Sequence, residues 1–196
     1  MLSAMKLAEP PIISLSKNNY LHLGKNDFDR AVFTCADIEP KTVIFTFSGQ
    51  KLPRHQVPAP HDRHPDYYLQ ISQNTFIGPT GDYDDFINHS CDPNCGLIIK
   101  NNCIDLITIR PISAGMEITW DYSTTMDEPG WELECRCGNQ NGCRKQITSF
   151  QYLPKERQKY YIDLGIVPTY IQKYSAPIKI KKIQTKNFFI SKTAWV

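Results

Sequence analysis

Three cysteines in the second half of this 196-residue sequence have the spacing of metal ligands. Cys135, Cys137 and Cys143 stand in the stretch ECRCGNQNGCRK, with one and then five residues between them. Thiolates this close in sequence can converge on one ion, and structural zinc takes four such ligands in a tetrahedron. The trio therefore predicts a zinc site that is one ligand short, and the alternative is three unrelated free thiols.

The complete set of cysteines argues against a disulfide framework. The sequence has seven, an odd number, and the other four are Cys35, Cys91, Cys95 and Cys103. The amino-terminal stretch MLSAMKLAEPPII is too interrupted for a secretory signal, and no segment has the roughly 20 apolar residues that cross a bilayer. We therefore expect the protein in a reducing compartment, either the cytoplasm or the nucleus, and export to a host cell stays open. We expect no membrane partner.

A second polar cluster, FINHSCDPNC, occupies residues 86–95. Two apolar residues lead into Asn88, His89 and Cys91, so the segment should be anchored in a core and present its polar side chains at the edge. Two further histidines, His61 and His64, lie among four prolines in residues 50–65. That stretch has no periodicity and predicts a loop with solvated histidines rather than a metal site.

Composition and charge indicate an ordinary globular domain. The sequence is 41% hydrophobic and 21% charged, and its net charge of +2 does not favour nucleic acid as a partner. Six lysines and no acidic residue follow Asp163. Residues 173–196 are therefore expected to form a basic tail, either an edge strand or an arm that could contact an acidic partner. A solvated tail is the plainer alternative.

Most of the predicted elements are short strands. Residues 42–49, TVIFTFSG, alternate with period two, and the pair at 101–102 suits a tight hairpin. The full set of predicted strands is 42–49, 67–72, 75–77, 97–100, 103–110 and 116–122. One helix is predicted at 153–164, with Leu153, Tyr160, Tyr161 and Leu164 on one face, Pro154 in its first turn and Gly165 at its end.

Three stretches in a fixed order carry a resemblance to a known family. FINHSCDPNC at 86–95, GMEITWDY at 115–122 and CRCGNQNGCR at 135–144 resemble the signatures of SET-domain protein lysine methyltransferases. The resemblance begins near residue 31 and ends near residue 147. It implies a mostly β (β+α) fold of several short twisted sheets with a knot-like C-terminal segment, followed by a zinc-bound post-SET segment and a C-terminal helix.

The resemblance also implies a division of the chain. It comprises an N-terminal extension (1–19), a SET domain (20–123), a post-SET zinc segment (131–147), a C-terminal helical segment (148–172) and a basic tail (173–196). Cys91 matches the family cysteine that joins the three post-SET cysteines around one structural zinc. The spacing before Cys143 is one residue longer than is usual in the family, which a bulge in the glycine-containing loop can absorb.

The chemistry implied is transfer of the methyl group of S-adenosylmethionine to a protein lysine ε-amine, of a histone or another protein. A lysine amine has a pKa near 10.4, so its neutral form costs about 4–5 kcal/mol at pH 7. An apolar aromatic channel lowers that cost and guides the side chain. Tyr122 matches the catalytic tyrosine. Trp120 stands where the family usually has Phe or Tyr and is expected to line the lysine channel.

The residues that the resemblance implies for cofactor binding match the family pattern less closely. The matching positions are Asn88, His89, Phe86, Tyr68, Arg30 and Ala31, although the register could select Tyr67 instead of Tyr68. The family commonly has Gly-x-Gly where this sequence has Asp29-Arg30-Ala31, and Arg where it has Asp85. These departures favour an alternative, a SET-fold binding module with impaired catalysis. A zinc-ribbon nucleic-acid binder is a third reading that the overall charge disfavours, so direct nucleic-acid binding is not expected.

Overall fold

The computed structural model describes residues 20–62, 67–100 and 103–173. These residues form twelve short strands, two α-helices and several single 3₁₀ turns. The strands are β1 (Leu21–Lys25), β2 (Arg30–Thr34), β3 (Val43–Thr46), β4 (Lys51–Pro53), β5 (Leu69–Gln70), β6 (Thr75–Ile77), β7 (Asn88–His89), β8 (Cys95–Lys100), β9 (Cys103–Thr108), β10 (Thr119–Trp120), β11 (Glu132–Glu134) and β12 (Gln146–Thr148). The helices are α1 (Lys155–Asp163) and α2 (Thr169–Gln172).

The central sheet has the strand order β3-β9-β8 and carries the main core. β8 and β9 pair antiparallel from Cys95↔Thr108 to Lys100↔Cys103, which confirms the predicted hairpin around the undescribed pair 101–102. Leu97 and Leu106 are directly opposite each other and fully buried. The sheet therefore supplies the apolar base against which the functional segments pack.

A second sheet, β4-β6-β5, shows that part of the predicted loop at 50–65 is wrong. β4 pairs antiparallel with β6 from Lys51↔Ile77 to Pro53↔Thr75. Its proline is tolerated because β4 is an edge strand, where one side of the backbone needs no ladder partner. Pairing with a neighbour 22–26 residues away has overridden the local preference of a proline-rich sequence.

The segment predicted as a strand at 116–122 is instead divided between two partners. Its first part bonds to β2, with Ile118 N donating to Val32 O at 2.8 Å. Its next two residues, β10, pair in parallel with β7 as Thr119↔Asn88 and Trp120↔His89. A 3₁₀ turn at Tyr122–Thr124 then ends the extended conformation, because the Asp121 carboxylate accepts from Ser123 N.

The carboxyl-terminal part adds a two-stranded sheet, β11-β12, and the helices. Helix α1 begins after Pro154, and Gly165, at φ +74°, follows its end as predicted. One face of α1 was predicted wrongly: Tyr161 is fully buried but Tyr160 is 48% exposed. Successive helical residues are rotated by about 100°, and the inward face is the one shared by Gln158 and Tyr161.

Residues 174–196, which include almost all of the predicted basic tail, lie outside the described residues. Within the part of the chain that the structure describes, no helix is long and apolar enough to span a membrane.

Candidate active site and metal centre

The four cysteines implied as zinc ligands lie together. The Sγ atoms of Cys91, Cys135, Cys137 and Cys143 are all within 4.8 Å of one another. Cys135 Sγ lies 3.5 Å from both Cys91 Sγ and Cys143 Sγ. A disulfide needs about 2.05 Å, whereas a tetrahedron of Zn–S bonds of about 2.3 Å separates sulfurs by about 3.8 Å. The donor set therefore fits one structural zinc.

Backbone groups and burial complete the environment of this cluster. Arg144 N donates to Cys91 Sγ and Lys145 N donates to Cys143 Sγ, each at 3.4 Å. Burial raises the pKa of the Cys91 and Cys135 thiols. Burial also acts on Cys137, but hydrogen bonds from neighbouring groups outweigh it and lower its pKa to about 7. Thiols held in this state need a cation to become thiolates together, which is what zinc supplies.

His89 connects this cluster with Tyr122. Tyr122 N donates to His89 Nδ1 at 3.3 Å, and His89 Nε2 lies 3.4 Å from Cys91 Sγ. Burial lowers the pKa of His89 to about 4, so the ring is neutral at pH 7. In the tautomer in which Nδ1 accepts from Tyr122 N, the ring proton is on Nε2 and faces the Cys91 sulfur, while Asp121 Oδ1 lies 3.5 Å from Nδ1.

Two cavities meet next to Tyr122. The larger, a groove of about 670 Å³, lies between the β1–β2 turn, β7 and the segment around β11. The smaller, about 60 Å³, has six aromatic side chains in its walls: Phe47, Tyr67, Tyr68, Trp120, Tyr122 and Trp131. Four residues line both cavities: Tyr67, Asp85, Tyr122 and Leu133. These shared residues mark the junction between a groove and an aromatic channel.

Most of the predicted cofactor positions line the groove. They are Arg30, Phe86, Asn88 and His89. Tyr68 lines only the aromatic channel, whereas Tyr67 lines both cavities, so the geometry favours the alternative register. Ala31 is fully buried and lines neither cavity.

The segment that replaces the family glycines forms a regular hairpin. Ala31 pairs with Gly24 across β1 and β2, and the guanidinium of Arg30 lies 4.1 Å from the centre of the Phe86 ring. Asn88 Nδ2 donates to Arg30 O at 3.0 Å and to Glu117 Oε1 at 2.8 Å. The departures from Gly-x-Gly thus fit this backbone, and they bring a cation to the groove.

The two predicted catalytic positions lie side by side. The rings of Trp120 and Tyr122 are 4.9 Å apart, and the Tyr122 hydroxyl donates to Ile87 O at 2.8 Å. Sequence reasoning missed the residues that hold this segment in place. Asp121 and Arg144 form an ion pair, and each stands directly beside a residue that was singled out, Tyr122 and Cys143. That adjacency was the available signal.

Comparison with known proteins agrees with this architecture. Residues 29–123 match the family model described as SET domain. The chain is 29% identical over 131 residues to histone-lysine N-methyltransferase trithorax of Drosophila virilis, covering 61% of this chain and 3% of that protein. It is 39% identical over 82 residues to the histone-lysine N-methyltransferase, H3 lysine-4 specific, of Saccharomyces cerevisiae. That match covers 38% of this chain and 8% of the yeast protein.

A solved structure has the same fold. The crystal structure of KRYPTONITE in complex with mCHH DNA, H3(1-15) peptide and SAH superposes with a TM-score of 0.51 at 23% identity, over 65% of this chain and 29% of that one. The fold and the site therefore define a SET-type β domain with an added cysteine cluster. This chain carries a SET domain at residues 29–123.

Proposed function

We propose that this chain is a protein lysine methyltransferase that uses S-adenosylmethionine. The observation that carries the proposal is the position of Tyr122, whose side chain lines both the groove and the aromatic channel. A methyl transfer needs two compartments that meet at one point, one for the donor and one for the amine. The junction at Tyr122 provides that arrangement.

The groove would hold the methyl donor. S-adenosylmethionine, when bound, supplies a methyl group on a sulfonium. Asn88, His89, Phe86, Tyr67 and Arg30 would form its surroundings. Arg30 supplies a cation for a carboxylate, and polar groups of β7 supply donors and acceptors. Because Tyr122 lines both cavities, it would orient the amine that enters from the other side.

The aromatic channel would hold the lysine. Trp120 and Trp131 are both almost completely buried, at 5% and 3% exposure, and form part of its wall. Such a wall removes water from the amine and favours its neutral, nucleophilic form. Trp120 would contact the methylene stem and restrict the space around the nitrogen.

The zinc would shape the site without taking part in the reaction. Three of its ligands follow directly after β11, which carries Leu133, one of the four residues that line both cavities. The fourth ligand, Cys91, comes from the turn after β7 rather than from the cysteine trio. The cluster thus joins the SET domain, through Cys91, to the segment that follows it, which weighs against an independent zinc ribbon that binds nucleic acid.

The substrate we propose is a protein lysine, with histones as the first candidates. The relatives reported above are named as histone-lysine methyltransferases, and the KRYPTONITE complex contains an H3 peptide. This chain covers only a small part of each relative, so the substrate is a proposal for this chain itself. Under it, the protein acts in the cytoplasm or nucleus, where such substrates are found.

The test has two stages. Calorimetry with S-adenosylmethionine measures cofactor binding, and a radiolabelled methyl assay on histones and cell lysate measures transfer. We expect the parent protein to bind the cofactor and to transfer methyl groups. Tyr122→Phe should lose roughly 10²-fold or more in transfer while it retains cofactor binding. Tyr160→Phe, an exposed hydroxyl on α1, is the matched control. Binding without transfer would support the impaired binding module that Asp29 and Asp85 favour. The absence of both binding and transfer would overturn the proposal.

A further inference from the structure

The side chain of Asn26 holds one wall of the groove together. Asn26, Asn88 and Glu117 all line the groove, and the Glu117 carboxylate accepts hydrogen bonds from both asparagines. We propose that Asn26 is a positioning residue for the methyl donor: it orients Glu117, and through Glu117 it sets the amide of Asn88. The identity of the ligand rests on the proposed function, whereas the order that Asn26 imposes on this wall does not.

Glu117 is the fixed point of this wall. Asn26 Nδ2 lies 3.1 Å from Glu117 Oε1 and 3.3 Å from Oε2, and Asn88 Nδ2 lies 2.8 Å from Oε1. Hydrogen bonds to a carboxylate are stronger than those between neutral groups. The main chain of Glu117 is held as well, because Asn94 Nδ2 donates to its carbonyl oxygen at 2.7 Å. Both asparagine side chains are therefore attached to one anchored carboxylate.

The other end of the Asn26 amide shapes the turn between β1 and β2. Its Oδ1 accepts from the main-chain N of Phe28 and of Asp29, each at 2.9 Å. Asn26 N in turn donates to Asp29 O at 3.0 Å. Arg30, which lines the groove, is the next residue and begins β2. One side chain thus ties the β1–β2 turn to the segment that carries Glu117.

Each partner of Asn26 has a single role, so its neighbours determine the orientation of its amide. A carboxylate only accepts and a main-chain N–H only donates, so the side chain between them must donate on one side and accept on the other. An aspartate at this position would keep the acceptor but would place a second carboxylate beside Glu117. An alanine would remove both ends, and Asn88 would be the remaining side-chain partner of the Glu117 carboxylate among the described residues.

The amide of Asn88 is fixed in the same way. Its Nδ2 donates to Arg30 O at 3.0 Å as well as to Glu117, and both partners only accept. Its Oδ1 accepts no hydrogen bond from the described residues and remains accessible. It is therefore an acceptor for an N–H or O–H group of a molecule in the groove, and S-adenosylmethionine carries both. Without the link to Asn26, Glu117 and the Asn88 amide can rotate together, and a turned amide would present a donor instead.

Calorimetry with S-adenosylmethionine compares the full parent chain with Asn26→Ala. We expect the dissociation constant of the variant to rise about ten-fold, because a hydrogen bond to a charged group is lost. At saturating cofactor, the rate of methyl transfer should stay within about two-fold of the parent, which separates positioning of the cofactor from action on the transferred methyl. Asn74→Ala is the control, because Asn74 is exposed in the β5–β6 turn and lines neither cavity. An unchanged dissociation constant in Asn26→Ala would overturn the proposal.

An exchange of the donor and acceptor tests whether Asn26 acts through Glu117. Asn26→Asp keeps the oxygen that the turn requires but sets two carboxylates against each other, so it should weaken binding at least as much as Asn26→Ala. Adding Glu117→Gln supplies an Nε2 that can donate to the new carboxylate, while its Oε1 still accepts from Asn88. The double variant should therefore bind the cofactor at least about three-fold tighter than Asn26→Asp alone. A double variant that binds no better than Asn26→Asp would contradict the link.

The side-chain amide signals of Asn88 in NMR spectra give a readout that needs no ligand. Both of its Nδ2 protons are donated in the parent, so Asn26→Ala should speed their exchange with solvent and Asn74→Ala should not. Equal exchange in the parent and Asn26→Ala would reject the ordering role. If the parent binds no S-adenosylmethionine, the proposed function fails and this comparison alone decides the role of Asn26. If the parent and Asn26→Ala bind it equally, the inference fails and the proposed function stands.

Discussion

Arg144 donates from its two terminal nitrogens to the two carboxylate oxygens of Asp121, at 2.7 and 2.8 Å. Asp121 is 1% exposed and also accepts from the Tyr161 hydroxyl at 2.9 Å. Burial would raise the pKa of Asp121, but Arg144 outweighs burial and keeps it below its ordinary value. One carboxylate thus joins the segment of Tyr122, the segment of the cysteine trio and helix α1.

This pair predicts a large effect of removing the cation. Arg144→Gln leaves a buried carboxylate without its partner, so the free energy of unfolding should fall by about 3–5 kcal/mol. Arg136→Gln is the control, because Arg136 lies in the same segment but its pair with Glu134 is exposed. That change should cost no more than about 1 kcal/mol. Urea denaturation measures both, and similar values for the two variants would contradict the buried role of Asp121.

The cysteine cluster predicts one zinc for each chain. Atomic absorption should find it in the parent and in Cys103→Ser, whose cysteine is exposed and lies outside the cluster, but not in Cys137→Ser. Because a zinc bound by these cysteines would link the end of β11 to the turn after β7, stringent chelation should raise hydrogen exchange in residues 131–147 and abolish the proposed methyl transfer. A fully active enzyme after chelation would rule out this role of the site.

The pKa of Asp85 predicts a stability difference that depends on pH. Burial raises the pKa of Asp85 from its ordinary value of 3.8 to about 6, so folding favours the protonated form. That contribution is fully present below about pH 3.8 and is lost as the pH rises through about 6. Asp85→Asn should therefore gain stability relative to the parent between pH 4 and pH 7, by about 1 kcal/mol after screening at this half-buried position.

Thermal unfolding across that pH range measures the gain of the Asp85 variant. Asp163→Asn removes one exposed carboxylate and serves to subtract the general effect of net charge. A difference between parent and Asp85→Asn that stays constant from pH 4 to pH 7 would show that the carboxyl is not destabilised by burial.

The contact between Trp120 and Tyr122 predicts control over product state. Trp120→Phe removes part of a bulky ring from the channel wall, which enlarges the space around the amine. We expect the distribution of mono-, di- and trimethyllysine to shift toward higher states, measured by mass spectrometry of the product peptide. An unchanged distribution at equal turnover would show that this ring does not limit methylation.

Several features of the molecule could be predicted from local sequence because their physical cause is local. The hairpin β8–β9 follows from two apolar runs around a short turn, and the end of α1 follows from a glycine at positive φ. The zinc trio follows from thiols within nine residues of one another. The three family signatures were also visible as short runs of residues, and the SET match at 29–123 agrees with them.

Other features were decided only by the tertiary structure, because they depend on contacts between distant residues. β4 forms because β6 provides a partner, and the buried face of α1 depends on what lies beneath it, which made Tyr160 an incorrect core residue. Arg144 and Asp121 are 23 positions apart and carry no mutual signal in the sequence. That Tyr67 lines both cavities, and that carboxylates line the aromatic channel, likewise required the cavities themselves. Sequence determined which groups this protein has, and folding determined which of them share a low-dielectric space where their charges and hydrogen bonds count most.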